Sequence, residues 1–506
     1  MRVVAVVASL ILSLQYSNAN DCVQRAEKYG PVCVCNSTYC DNVPDVLDLS
    51  SGQYQLYTTS KLKLGFASST GSFSNGGPSA TATIAVPDLK ATQQKILGFG
   101  GAFTDAASYT ILTLPEAAQD KLLQSYFADD GIQYTINRVL MGTSDFSVRG
   151  FTNLDEKDET LESFALVPED SEMKIPVIRK AQQFRGDALK LFLSSWSSPK
   201  WMKTIEDYFG EGVLKTEYNQ LWADYYIKFF EAYQEAGVEF WGVTAQNEPY
   251  TSPAGNVNLR WSYNSLRDWV LDYFGPTLRD STFKDLKILM LDDNTNHIEN
   301  FKSRTFERPE ILDYLDGIAL HWYNDNLNQD SWFEGWPESL FLIGTEACQS
   351  VINYLTENKV RLGDWDRATE YIDHIVYDLD HHYTGWVEWN LALNLDGGPS
   401  WMNASLDAPI IVNATAVEFY KEPMFYALGH FSKFIVPDSL KLALTTSDGL
   451  SDNGIRTVAA LRPDGKVAVF VTNENDNSVT IQISIGESSQ SIEFAANSIN
   501  TLLYNV

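Results

Sequence analysis

Residues 221–249 read LWADYYIKFFEAYQEAGVEFWGVTAQNEP. Trp222, Tyr226, Phe229, Phe230 and Tyr233 recur every three or four positions, the period of a helix with one apolar face. Gly237 is placed to cap that helix. The run 240–245 then predicts a buried strand, and Pro249 stops its pairing. The same alternation extends from 96 to 390. Short apolar runs ending in polar residues lie at 96–99, 136–141, 191–195, 240–245, 286–291, 318–321, 341–345 and 385–389. Eight strand-and-helix units over about 300 residues predict a (β/α)8 TIM barrel within the α/β class. A doubly wound sheet is the competitor, but Gly98-Phe-Gly-Gly101 lacks the dinucleotide-binding spacing.

Both ends of the chain read as β-structure. Runs at 56–59, 62–64 and 80–86 surround a Ser/Gly-rich turn at 69–79. After about 440, runs at 457–461 and 467–472 flank the turn Arg462-Pro-Asp-Gly-Lys466. Each end is short for a stable domain, so the two are expected to pair into one discontinuous β-sandwich. The expected division is a signal peptide at 1–19 and a small disulfide-bonded β subdomain from 20–45 with 391–422. The sandwich takes 46–95 with 440–506, and the catalytic barrel takes 96–390 with 423–439.

Residues 1–19 carry one early Arg2, an uncharged run and Ser17-Asn18-Ala19, the pattern of a secretory signal. No later stretch has the ~18 apolar residues of a membrane span. Cys22, Cys33, Cys35 and Cys40 crowd together, and Cys348 is left over. In a secreted chain four such cysteines form two bridges, with three pairings open; zinc is the alternative. Asn36, Asn403 and Asn413 head glycosylation sequons. The net charge of −29 is wrong for nucleic acid, whose phosphates need clustered Lys and Arg. The 13 Trp and 25 Tyr suit core packing, or the flat faces of sugars.

Catalytic residues of a barrel sit where its strands end. Asn247 and Glu248 follow the fourth predicted strand, and Glu346 ends the seventh. Two carboxylates across one mouth suit glycoside hydrolysis, one giving a proton to the leaving oxygen and the other attacking the anomeric carbon. Most acids are solvated loop residues; the coincidence of Asn-Glu-Pro after strand four with Glu at the end of strand seven sets these two apart. His321 could bind a metal, but with six His and no HExxH a hydrogen-bonded role is expected, with no metal.

The segments Thr244-Ala-Gln-Asn-Glu-Pro249, Phe341-Leu-Ile-Gly-Thr-Glu-Ala-Cys348, Gly98-Phe-Gly-Gly-Ala-Phe-Thr-Asp105, Gly385-Trp-Val-Glu-Trp-Asn-Leu-Ala-Leu-Asn394 and Val32-Cys-Val-Cys-Asn-Ser-Thr-Tyr-Cys-Asp41 resemble the glucosylceramidases of glycoside hydrolase family 30. So does 419–435. The resemblance runs from about residue 22 to the end. It implies a retaining β-glucosidase without a cofactor, Glu248 being the acid/base and Glu346 the nucleophile. It implies that Asn247 binds the sugar 2-hydroxyl and that Asp145, Trp196, Tyr323 and Trp389 contact the sugar. Trp322 and Trp386 are even between site and core, and Asp105 is a weaker site candidate, with a cap or turn former as its other reading. The implied disulfides are Cys22–Cys33 and Cys35–Cys40. The implied substrate is glucosylceramide or a related β-glucoside. A saposin-like activator and an anionic lipid surface are possible partners, and the lysosome the destination, with the extracellular space as alternative. Ser331-Trp-Phe-Glu-Gly-Trp336 is either an aromatic lip for a lipid tail or a segment packed on the barrel. The rival readings are a secreted family 30 enzyme acting on another β-glycan and a catalytically silent glycolipid-binding protein.

Overall fold

The computed structural model describes residues 19–251, 255–324, 327, 329–350 and 359–506. All of the expected signal but Ala19 lies outside the described residues. The parallel strands Gly98–Phe103, Ile136–Met141, Lys190–Ser195, Gly242–Thr244, Lys287–Asn294, Leu315–His321, Phe341–Glu346 and Tyr383–Asn390, in chain order strands one to eight, close into a barrel. The helix Asn219–Glu235 buries Trp222, Tyr226, Phe229, Phe230 and Tyr233, each worth about 1.5–3 kcal/mol of apolar burial. It ends where Gly237 takes φ 81°. There the Gly237 N–H donates to Gln234 O and the Val238 N–H to Tyr233 O, both at 2.9 Å, the paired bonds of a Schellman cap.

Strand one differs from expectation: it starts at Gly98, and the glycines at 98–101 lie within it. Its glycines let strands close. A Cβ on Gly385 of strand eight would lie 2.2 Å from Gly98 O, so the barrel seals only without side chains at that crossing.

Inward residues alternate along each strand. Ile136, Phe192, Leu289, Ala319, Ile343 and Val387 form one apolar layer. Two residues further on, Arg138, Ser194, His321, Thr345 and Trp389 form a layer that is mostly polar. Strand five breaks the alternation. Leu291 and Asp292 have φ 75° and 45°, and pairing with strand six shifts between Leu291 and Asp293. This bulge puts Asp292, rather than Leu291, into the polar layer.

The chain ends pair with each other. One sheet runs Lys63–Ser72, Gln53–Ser60, Ser498–Asn505, Lys466–Asn473, Thr457–Leu461, Leu440–Leu442, Thr92–Lys95. A second, four-stranded sheet carries Ile84, Val86, Ile481 and Ile483, which pack on Val467, Val469 and Leu502 of the first. The first sheet takes three strands from the N-terminal end and four from the C-terminal end, and the second takes one and three. The strand at 63–72 takes up the start of the expected 69–79 turn. A third sheet joins Gln24–Ala26 and Pro31–Asn36 to Glu418–Lys421, Ile410–Asn413 and Leu393–Asn394. Cys22–Cys33 and Cys35–Cys40 are bonded, and Cys348 is free and buried.

The segment 331–336 is no lip. Between the end of strand six and the start of strand seven the chain must return to the opposite end of the barrel. Phe333 packs there on Tyr377 and His381, and Trp336 on Phe301 and Phe306. Phe333 and Trp336 line a cavity of about 750 Å³ with Phe341, Leu342 and Thr384 at the first turns of strands seven and eight. Trp322 and Trp386 belong to the core, packed on Tyr371.

Candidate active site

A pocket of about 260 Å³ opens at the carboxyl ends of the strands. Asp145, Trp196, Asn247, Glu248, Tyr323, Glu346 and Trp389 all line it. Every sugar-site residue expected from the sequence therefore meets in one cavity. Asp145 lies four residues beyond strand two, on a loop, rather than at the strand's end.

Glu346 ends strand seven and is 8% exposed. Its Oε1 accepts from Tyr323 Oη at 2.8 Å, and its Oε2 accepts from Arg138 Nη1. Burial pushes its pKa up, against the pull of His321 and Arg138. Glu248 has φ 40°, a conformation strained for this residue and frequent at functional positions. Its N–H donates to Asp292 O at 2.8 Å. Its Oε1 meets His321 Nδ1 at 3.1 Å and Asn294 Nδ2 at 3.3 Å. A carboxylate oxygen of Glu248, one of Glu346 and a ring nitrogen of His321 lie within 4.8 Å of one another.

Arg138 was not singled out from the sequence and stands at the centre. It is fully buried on strand two. Its Nη2 donates to Ser194 Oγ (3.0 Å), Asn247 Oδ1 (2.7 Å) and Asp292 Oδ2 (2.7 Å). With its oxygen taken, Asn247 keeps its NH2 for the pocket. The guanidinium lies 4.6 Å from the Trp196 ring and 5.5 Å from Trp389, and those rings stack at 5.1 Å. Trp196 is 5% exposed and Trp389 1%, so the pair forms a wall with an edge to the pocket more than an open platform.

Asp292 was also missed. His321, expected to be merely structural, bridges it to Glu248: Nε2 lies 3.2 Å from Asp292 Oδ1. Burial would lower the imidazole pKa, but Glu346, Asp292 and Glu248 raise it to about 10. Burial would raise that of Asp292, but Arg138 and His321 hold it below the ordinary carboxylate range. Asp145 goes the other way: burial, Glu346 and Glu248 push it up to about 8. Period-two spacing on strand two could have singled out Arg138 as an inward residue; nothing in the sequence pointed to the bulge that turns Asp292 inward. Glu346 accepts from Arg138 and Tyr323, and the two ring nitrogens of His321 are taken by Glu248 and Asp292, so no cation ligand set is assigned.

Asp105 follows the N-cap Thr104 of the helix Asp105–Leu112 and pairs with buried Lys174 at 3.2 Å, away from the pocket lining. Of the sequon asparagines, Asn403 is exposed. Asn36 Oδ1 accepts from the N–H groups of Thr38 and Tyr39, and Asn413 Nδ2 donates to Tyr420 Oη at 2.9 Å.

Known proteins share this arrangement of domains. The model of the glycosyl hydrolase family 30 TIM-barrel domain matches residues 96–435, and that of the family 30 beta sandwich domain residues 439–502. The lysosomal acid glucosylceramidase of Mus musculus is 39% identical over 479 residues, 92% of each chain. Among solved structures, SrfJ from Salmonella typhimurium superposes with a TM-score of 0.83 at 22% identity, over 90% of this chain and 100% of that one. An endo-beta1,6-glucanase gives 0.78 at 25% identity over the same shares. A family model covering the whole barrel, and a relative at 39% identity along nearly the full length, place the chain in glycosyl hydrolase family 30, as a glycoside hydrolase.

Proposed function

We propose that the protein is a retaining β-glucosidase that cleaves glucosylceramide to glucose and ceramide, with Glu346 as nucleophile and Glu248 as acid/base. The observation that carries this is the approach of the two carboxylates to within 4.8 Å. Retaining enzymes hold the pair ~5–5.5 Å apart, whereas inverting ones leave ~6.5–9.5 Å for a water. Glu346 attacks the anomeric carbon as Glu248 gives its proton to the ceramide oxygen. Water then attacks the same carbon, passes a proton back to Glu248 and frees Glu346 with release of glucose. The free NH2 of Asn247 is set to donate to the 2-hydroxyl, and Asp145 to bind other ring hydroxyls. Tyr323 holds Glu346 from the side opposite Arg138, and the edges of Trp196 and Trp389 bound the sugar.

The ceramide reading draws on the mouse relative, the β-glycan alternative on the glucanase structure. A lysosomal site fits the net charge of −29, which shrinks as carboxylates protonate near pH 4. The protein could then approach an anionic lipid surface, with or without a saposin-like helper. Among the described residues no helix is long and apolar enough to cross a membrane. The test compares glucosylceramide and galactosylceramide in anionic vesicles with soluble β-1,6-glucan, following the first-released sugar by NMR. β-Glucose from glucosylceramide is the expected result. α-Glucose would overturn retention, and faster turnover of the glucan would move the enzyme to the other substrate class.

A further inference from the structure

Asp292 is not among the residues lining the active-site pocket, yet it joins the arginine that holds Glu346 to the histidine that holds Glu248. It is fully buried. Its Oδ2 accepts from Arg138 (2.7 Å), Ser194 (2.7 Å) and Thr244 (2.6 Å), and its Oδ1 from Thr345 (2.8 Å) and His321 (3.2 Å). These donors stand on strands two, three, four, seven and six. Its carbonyl accepts the Glu248 N–H. From its two oxygens one path runs through Arg138 to Glu346, and another through His321 to Glu248.

We infer that Asp292 is the positioning residue of the reaction: one buried anion that fixes two cations, Arg138 against Glu346 and His321 against Glu248, and so orients both carboxylates. This rests on the roles proposed above for Glu346 and Glu248. Two left-handed residues in succession, Leu291 and Asp292, are costly in a strand. The distortion is what turns Asp292 to the barrel axis, where all five donors reach it.

The charges around His321 give the inference a direction. It faces Asp292 on strand five, Glu248 beyond strand four and Glu346 on strand seven. Tyr323 stands edge-on at 6.1 Å. Arg138 completes the group on strand two, and Asp145, beyond strand two, feels both glutamates. His321 is the cation nearest Glu248. Replacing it by an uncharged residue of similar reach removes a positive charge beside both carboxylates, so both should ionise at higher pH.

The experiment uses the full-length enzyme, an aryl β-glucoside and the pH dependence of kcat/KM, with folding checked by circular dichroism. His321→Gln should move both limbs of the profile upward by about one pH unit. Asp292→Asn should lower kcat about 100-fold with KM changed less than about threefold, as for misplaced catalytic groups. The wild-type ¹⁵N-imidazole spectrum should hold one imidazolium at neutral pH that His321→Gln lacks. Wild-type limbs in His321→Gln, or wild-type kcat in a folded Asp292→Asn, would overturn the inference. If Asp292→Asn does not fold, the limbs of His321→Gln and the imidazolium signal decide it alone. Glu346→Ala in parallel keeps the two readings apart: retained activity there removes the proposed nucleophile, whereas an inactive Glu346→Ala with unmoved limbs removes only the role of Asp292.

Discussion

Asp292 on strand five and Glu388 on strand eight are both wholly inaccessible carboxylates of the same barrel, and their surroundings differ in kind. Asp292 points to the axis and has five side-chain donors, two of them cationic. Glu388 points outward to the helix Trp365–Asp380. Among the described residues, its Oε1 has only Tyr371 Oη at 3.5 Å, and its Oε2 has no partner. Beyond it stand Asp407 and Glu422. Asp407 pairs with Arg367. Glu422 accepts from the Gly363 N–H at 2.7 Å, and its Oε1 has no partner among the described residues. Burial and then Asp407 push Glu388 and Glu422 well above the ordinary carboxyl range, and burial raises Asp407. A buried charge must be matched or neutralised. Around Asp292 cations match it; around Glu388 protons do the neutralising. The first solution keeps charges fixed in a site that needs them, and the second ties the fold to acid.

The largest effect that follows is on activity. Glu346→Ala should lower kcat/KM for an aryl β-glucoside by at least about 1,000-fold, measured against the wild-type enzyme with folding checked. Next comes Arg138→Met, which takes from Asp292 one of its two cations and from Glu346 its guanidinium partner. A loss of about 3–5 kcal/mol is expected, read from denaturant unfolding, and unchanged stability would show that the axial cluster does not depend on its cation.

The second cluster predicts a slope in pH. Glu388 and Glu422 keep their protons in the fold at pH values where the unfolded chain, titrating at ~4, has lost them. The stability they carry is present in acid and is lost as pH rises through their raised folded values. His430 acts oppositely: burial lowers its pKa to about 3, so its contribution is present above ~6.5 and is lost as pH falls. Glu388→Gln keeps shape and removes one titration. Its melting temperature should therefore fall less between pH 5 and pH 7.5 than that of the wild type; parallel curves would remove the proton-held reading of this cluster.

The smallest contrast compares single donors. Ser194→Ala takes one of five bonds from Asp292 and should cost about 1 kcal/mol. Tyr371→Phe takes only a 3.5 Å contact and should cost less. The reverse order, in the same unfolding assay, would mean that Glu388 depends on Tyr371 more than the geometry implies.

Much of this was legible in the chain. The apolar face at 222–233, the eight short runs and the strand-end positions of Glu248 and Glu346 follow from periodicities of 3.6 and 2, local properties of a sequence. Trp196, Asn247, Tyr323 and Trp389 came from the resemblance to family 30, and each adjoins or lies in a barrel strand near its carboxyl end. The 331–336 segment could not be read this way. Its aromatics suit either solvent-facing lipid contact or packing, and only the route of the chain back to strand seven settles which.

The sequence by itself determined the barrel, the two-ended sandwich and the mouth at which the glutamates stand, because these depend on which residues are apolar and how they are spaced. The tertiary structure alone decided that Asp292 faces inward, that Arg138 binds Glu346 and that His321 links Glu248 to Asp292. The inward turn of Asp292 comes from two left-handed residues at a bulge, a backbone state that the side-chain period does not encode. The two cations it then holds come from strands two and six, and its hydroxyl donors from strands three, four and seven.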